Sequence, residues 1–402
     1  MGLLNRVLFE KTLSFENSRL PRLMVGEDCL LELPRILAEL GGKNIALITG
    51  GSSYDSSGYR KAFEKSLSSE GIEAQHFQVS GEPSPGMVDS IRDECLARGV
   101  EAVAAVGGGS VLDTAKAVAA MVRHPGSVKD YLEGVGDKKP FGLRLPLVAV
   151  PATSGTGSEA TSNAVLSEVG PKGFKKSFRH PAFIPDLALI DPKVSRSCPP
   201  DLTAAAGMDA MTQLLEAFVS TKATPFTDML AYDGLIRIGR ALPKVVRDGE
   251  NLSARSQAGY AAYLSGVVLA NAGLGLVHGI ASPMGALRHI PHGVVCGTLL
   301  PPATERIIKT AEEDEVTGSR VLRKYAAAAV ALTGTDRGSL KANTAGLIEL
   351  FYRMADEYEM PRLGSFGFRE EELALLAERS SLKATPVQLS KEDLFAIMKA
   401  RL

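Results

Sequence analysis

Glu101 to Lys116 reads EAVAAVGGGSVLDTAK, and the order of its parts decides the fold. An apolar run over residues 101–106 ends in Gly107-Gly108-Gly109-Ser110, and a helical stretch follows through Met121. The same order of strand, glycine turn and helix recurs on either side. Residues 44–49 (NIALIT) predict a buried strand, followed by the turn Gly50-Gly51-Ser52 and a helix near 57–69. Glu73–Val79 predicts the next strand and 86–98 the next helix, with further strands at 146–150 and Leu187–Ile190. Such repetition predicts a parallel sheet with helices on both faces.

Working outward, the texture changes after Asp191-Pro192. Residues 202–220, 228–242 and 252–271 are rich in Ala, Leu and Met at helical spacing. The expected boundary therefore falls near Lys193, with an α/β dinucleotide-binding domain over 1–193 and an all-α domain over 194–402. A length of 402 residues agrees with about two domains. No internal repeat and no low-complexity segment is visible.

Composition excludes several classes. Lys plus Arg number 45 against 46 acids, so a net charge of -1 gives no electrostatic reason to expect nucleic acid or an anionic membrane as partner. No apolar run reaches the roughly 18–20 residues of a membrane span. Glu10, Lys11 and Glu16 interrupt any signal-peptide core. Cys29, Cys95, Cys198 and Cys296 never form CxxC, which suits buried thiols in a reducing cytosol. The expectation is a cytoplasmic globular protein.

Three loops carry chemistry in the first half. Gly107 to Ser110, between a strand and a helix N-terminus, lets the backbone approach a pyrophosphate and offers it free N–H donors. A plain structural turn uses the same residues, and the GxGxxG spacing is absent. Pro151 to Glu159 (PATSGTGSE) follows another apolar strand, and its hydroxyls suit phosphate, ribose or nicotinamide; a flexible loop is the alternative. Two such loops at strand C-termini match where open α/β sheets bind ligands. At Thr49-Gly50-Gly51-Ser52-Ser53 the acid that holds an NAD ribose is missing, and Ser52 or Ser53 can donate to a 2′-phosphate, which leans toward NADP(H). No Lys or Arg follows closely.

The helical half supplies candidate metal ligands. Asp209 and Gln213 stand four apart on one helix face. His278 and His292 sit among small or apolar residues, in a stretch that holds half of the six histidines. One carboxylate, one amide oxygen and two imidazoles can hold a divalent Lewis acid. Each histidine also has a plain alternative as a satisfied core or capping residue.

Taken together, the segments resemble the iron-containing (group III) alcohol dehydrogenases over nearly the whole chain. GGGSVLDTAK, PATSGTGSEAT, IPDLALIDP, AAAGMDAMTQLLEAFVS and NAGLGLVHGIASPMGALRHIPHG match that family's motifs in order. The resemblance implies the dehydroquinate synthase-like fold, an N-terminal α/β dinucleotide-binding domain plus an all-α C-terminal domain, with the site in the cleft between them. It implies that Gly108, Gly109 and Ser110 bind the pyrophosphate, with Asp113 in the same motif also at the cofactor. Thr153, Thr156 and Thr161 would line the nicotinamide, Gly50 would face the ribose, and Lys175 or Lys176 would reach the cofactor. The family's metal is held by one aspartate and three histidines. Asp209, His278 and His292 match three of these positions, and Gln213 stands at the fourth. A second familiar histidine is replaced by Ser282, and His289 is a nearby substitute or a surface residue. A neutral amide weakens metal binding relative to imidazole, so Fe2+, Zn2+ and a metal-free site all stay open.

The implied activity is hydride transfer between NAD(P)(H) and a small alcohol or its aldehyde or ketone, assisted by a metal at Asp209, Gln213, His278 and His292. Asp209, His278 and His292 are then the catalytic residues, Phe178, Leu269 and Leu287 candidate substrate neighbours, and a homodimer the expected assembly. The rivals are a dehydroquinate synthase-like lyase, which needs more cations than the nearby Lys222 and Arg288, and a cofactor-binding relative that has lost its metal.

Overall fold

The computed structural model describes residues 14–51, 53–56, 58–314 and 318–402. Ser52, expected near the ribose, Glu10 and Lys11 lie outside the described residues, as does the side chain of Ser53.

Six strands form one parallel sheet: β1 (Arg22–Val25), β2 (Asn44–Gly50), β3 (Glu73–Val79), β4 (Ala102–Gly107), β5 (Leu147–Pro151) and β8 (Leu187–Ile190), in the order β1-β8-β5-β4-β2-β3. The central strands β4 and β5 are buried along their whole length, as expected of parallel strands covered on both faces, which read as unbroken apolar runs. Between them run α1 (Leu33–Glu39), α2 (Ser53–Ser56), α3 (Arg60–Ser69), α4 (Pro85–Ala97) and α5 (Gly109–Met121). The α4 helix starts where the chain asks for it: Pro85 occupies the first turn, and Ser84 Oγ accepts from Met87 N–H at 3.3 Å. An antiparallel hairpin, β6 (Asn163–Glu168) with β7 (Phe174–Arg179), stands apart from this sheet.

The chain leaves β2 for β3 on one side and returns to β4 on the other. The order therefore reverses between β2 and β4, and crevices at such a reversal bind ligands outside the strand C-termini. Gly50 ends β2 and Gly107 ends β4, so two of the three loops singled out above flank that crevice.

From Pro200 onward the described chain has helices and no strand: α6 (Pro200–Val219), α7 (Pro225–Arg247), α8 (Leu252–Ala272), α9 (Leu276–Leu287), α10 (His292–Glu313), α11 (Gly318–Thr333), α12 (Leu340–Glu357), α13 (Glu370–Arg379) and α14 (Lys391–Lys399). The expected boundary at Lys193 falls in the segment between β8 and α6. Ala160, Ala188 and Ile190 from the α/β part share the large helical core with Met208, Met211 and Leu214. No single described helix is long and apolar enough to cross a membrane; α8 and α9 pass that test only as a pair, bent by 98°.

Candidate metal and cofactor site

Helix α6 is buried on most of its surface, so polar residues on it need partners. Asp209, Gln213 and Glu216 follow the i, i+4, i+7 rule on one face. Asp209 Oδ1 lies 3.2 Å from His278 Nε2 on α9 and 3.8 Å from His292 Nε2 at the start of α10. Cys296, one turn beyond His292, places Sγ 3.6 Å from His278 Nε2 and 3.7 Å from His292 Nε2. One donor atom from each of these four residues lies within 4.8 Å of the others. The cluster draws on three helices.

Behind the cluster stands Glu216. Its carboxylate accepts His278 Nδ1–H at 2.7 Å, together with Gly275 N–H at 2.8 Å and Val277 N–H at 2.6 Å. It thus satisfies open donors at the start of α9 and orients the His278 ring, so that Nε2 points toward Asp209 and Cys296, where a bound cation would displace its proton. Burial works against a charge on His278, but Cys296, the Glu216 carboxylate and the hydrogen bond to Asp209 outweigh it and hold its proton well above the usual range. Burial alone would raise Asp209; the imidazoles of His292 and His278 reverse that and bring its carboxyl to about 2. Desolvation pushes His292 below the usual imidazole range, with Lys175 and Lys383 adding to the effect. His292 is therefore a neutral nitrogen donor. Burial pushes the Cys296 thiol up to about 12.

Three of the four expected ligands, Asp209, His278 and His292, stand in this cluster. Gln213, the fourth expected ligand, sits one turn from Asp209, and its Oε1 accepts Ser265 Oγ–H from α8 at 2.8 Å, which leaves it a second lone pair. Cys296, absent from the expected set, stands in the cluster as well. Ser282 donates to the His278 carbonyl at 3.2 Å, and His289 is exposed. His76, His124 and His180 have structural partners in Thr49, Ala120 and Ala182.

The two loops expected at the cofactor meet each other. Gly108 and Gly109 open α5, and a Cβ on Gly109 would lie 2.6 Å from the Thr156 methyl. A Cβ on Gly108 would stand 3.6 Å from Thr153, an ordinary contact. Gly108, Gly109, Ser110, Thr153 and Thr156 are half-buried around this junction. At the end of β2, Gly51 is exposed and its carbonyl accepts Gln78 Nε2–H at 2.8 Å; neither Gly50 nor Gly51 brings a carboxylate.

Two expected cofactor contacts turn inward. Asp113 accepts Ser158 Oγ–H at 2.5 Å and Val165 N–H at 2.9 Å, and pairs with Lys116 at 3.0 Å. Lys116 is buried, and its Nζ also donates to Thr161 Oγ1 at 2.8 Å and to the Asn163 carbonyl. Asp113 and Thr161 thus bracket the PATSGTGSE loop from beneath, because a buried ammonium needs oxygen partners on every side. Lys175 and Lys176 project to opposite faces of β7, as neighbours on a strand must. Lys175 pairs with Glu82 at 2.8 Å and packs near Gly285 of α9, on the side of the metal cluster, whereas Lys176 is exposed. Phe178 is fully buried among His124, Tyr131 and Phe183 and so belongs to the core, not to a substrate pocket. Leu269 and Leu287 are half-buried. Lys383 was not anticipated; it is exposed, with a left-handed φ of 49°, on the loop between α13 and α14.

A reversal crevice with a glycine-opened helix, joined to a carboxylate–imidazole cluster, has the parts of a metal-assisted dinucleotide oxidoreductase. A family model for iron-containing alcohol dehydrogenase matches residues 21–192, and one for the Fe-containing alcohol dehydrogenase family C-terminal region matches 203–402. The chain belongs to the iron-containing alcohol dehydrogenase family, whose members bind NAD(H) and a divalent metal. It is 33% identical over 391 residues to long-chain-alcohol dehydrogenase 1 of Geobacillus thermodenitrificans, covering 94% of each chain. It is 41% identical over 225 residues to the probable alcohol dehydrogenase EutG of Salmonella typhimurium, a match spanning 54% of this chain and 56% of that one. The crystal structure of a 1,3-propanediol oxidoreductase superposes with a TM-score of 0.87 at 27% identity, over 97% of this chain and 100% of that one.

Proposed function

We propose that this enzyme interconverts a small alcohol and its aldehyde or ketone by hydride transfer to and from a nicotinamide cofactor. The observation that carries the reading is the convergence of Asp209, His278 and His292 from three helices onto one point. The donor chemistry suits a divalent cation: an ionised carboxylate, a neutral His292, and a His278 whose ring Glu216 orients. When bound, the metal supplies Lewis acidity toward a substrate oxygen and the nicotinamide supplies the hydride.

The chain's own residues do the rest. The N-terminus of α5, opened by Gly108 and Gly109, presents free N–H groups to the anionic pyrophosphate. Ser110, Thr153 and Thr156 border the same junction, and Lys175 approaches from the hairpin. Asp209 and His278 are buried, which excludes water from the metal side of the site. We assign NADP(H) preference to the side-chain-free turn at Gly50 and Gly51, which leaves room and no repulsion for a 2′-phosphate. The substrate is a small molecule rather than nucleic acid or membrane, and the working form is a cytoplasmic homodimer, a compartment supported by four free cysteines. The test is nicotinamide oxidation with short aldehydes at matched NADPH and NADH, with and without added Zn2+ or Fe2+. Metal-dependent turnover with higher kcat/KM for NADPH is expected; turnover that leaves net nicotinamide absorbance unchanged points to the lyase instead.

A further inference from the structure

We infer that Cys296 supplies a thiolate ligand to the metal at Asp209, His278 and His292, and that this makes the site selective for zinc over ferrous iron. The inference rests on the reading that those three residues hold a metal, and adds the fourth donor and its consequence.

Geometry argues first. For Zn–S of about 2.3 Å and Zn–N or Zn–O of about 2.0–2.1 Å, tetrahedral ligand atoms stand about 3.3–3.6 Å apart. The two edges from Cys296 Sγ to the imidazoles are 3.6 and 3.7 Å, and the two from Asp209 Oδ1 are 3.2 and 3.8 Å. Helical spacing argues second. His292 and Cys296 are four apart on α10 and so project from one face toward one point. Gln213, at the position that resemblance reserves for a third imidazole, offers only a neutral amide oxygen that already accepts from Ser265, a weaker donor than a thiolate toward a divalent ion.

The chemical consequence follows from ligand softness. Thiolate favours zinc, and with nitrogen, oxygen and sulfur donors alike Fe2+ binds more weakly than Zn2+. On binding, the S–H bond breaks, a metal–sulfur bond forms, and the proton leaves to solvent with no change of oxidation state. Zinc sites expand from four to five ligands, so four protein donors do not bar a substrate oxygen.

The 3.6 and 3.7 Å contacts would also suit a neutral thiol hydrogen-bonded to imidazole, and cobalt substitution separates the two. The full chain, stripped of metal with a chelator and loaded with Co2+, is expected to take up one equivalent and to show an intense near-ultraviolet thiolate-to-cobalt charge-transfer band. Cys296→Ser is expected to bind cobalt without that band, while Cys29, Cys95 and Cys198 remain. Its zinc affinity, by chelator competition, is expected to fall at least about tenfold, with a smaller change for Fe2+. Cobalt bound to the native chain without the band, or a band that survives in Cys296→Ser, overturns the thiolate and leaves the three-ligand site standing. Failure to bind any cobalt overturns both. The native spectrum decides the first point even where the serine variant does not fold.

Discussion

Glu159 shows what one buried carboxyl does to stability. It closes the PATSGTGSE loop at 1% exposure, and its Oε1 has no hydrogen-bond partner among the described residues. Burial raises its pKa from 4.5 to about 7. The unfolded chain releases this proton near 4.5, and the folded chain holds it to about 7. Between these values the folded state binds more protons, so stability falls as pH rises and levels off above about pH 7. Glu159→Gln removes the titration. It is expected to gain on the native chain by about 3 kcal/mol at about pH 8 and little at about pH 4. Urea unfolding at both pH values checks this; an equal difference at the two would show that Glu159 keeps its ordinary pKa. Cys296 shows how a residue escapes notice in sequence. VVCG carries no metal-binding spacing, and its one signal is four residues' distance from His292 on a helix start that was not delimited. Asp113 and Lys116 were hidden differently: a motif beside a glycine turn reads as ligand-facing, and only the fold shows their carboxylate and ammonium turned under the loop.

At the scale of elements, Glu216 joins α6 to α9. One carboxylate takes two backbone N–H groups at the α9 start and the His278 Nδ1–H, so it sets both the helix and the imidazole upon it. Glu216→Gln keeps the size but loses the charge, and is expected to lower metal affinity by about 10–100-fold. Chelator competition measures it, and unchanged affinity would reduce Glu216 to a helix cap. This residue was within reach of the sequence, seven after Asp209 on the same helix face. Elements were legible wherever apolar pattern ran long. Strands β2, β3, β4, β5 and β8 and helices α4 to α8 fall close to where their periodicity places them. The hairpin strand β7, FKKSFR, was not, because its polar and basic residues alternate with partly exposed neighbours and offer no buried run. Strand β1, RLMV, is a four-residue edge strand with no buried residue, too short for a period to appear.

At the scale of the molecule, the helical part and the sheet are locked where backbone meets backbone. Gly157, in a left-handed turn with φ of 62°, packs on Gly266 of α8 with no room for a Cβ on either. The PATSGTGSE loop is thereby seated on the helix whose Ser265 hydrogen-bonds Gln213. Cofactor loops and metal cluster are thus separate in sequence and mechanically joined, which gives the central claim a direct test. Replacing Asp209 removes the anionic donor while leaving the α5 N-terminus and its threonines in place. Asp209→Ala, assayed for NADPH oxidation with a short aldehyde and for NADPH binding by fluorescence, is expected to lose turnover by about a thousandfold or more with cofactor binding retained. Turnover equal to that of the native chain would contradict a metal-assisted hydride transfer at this site.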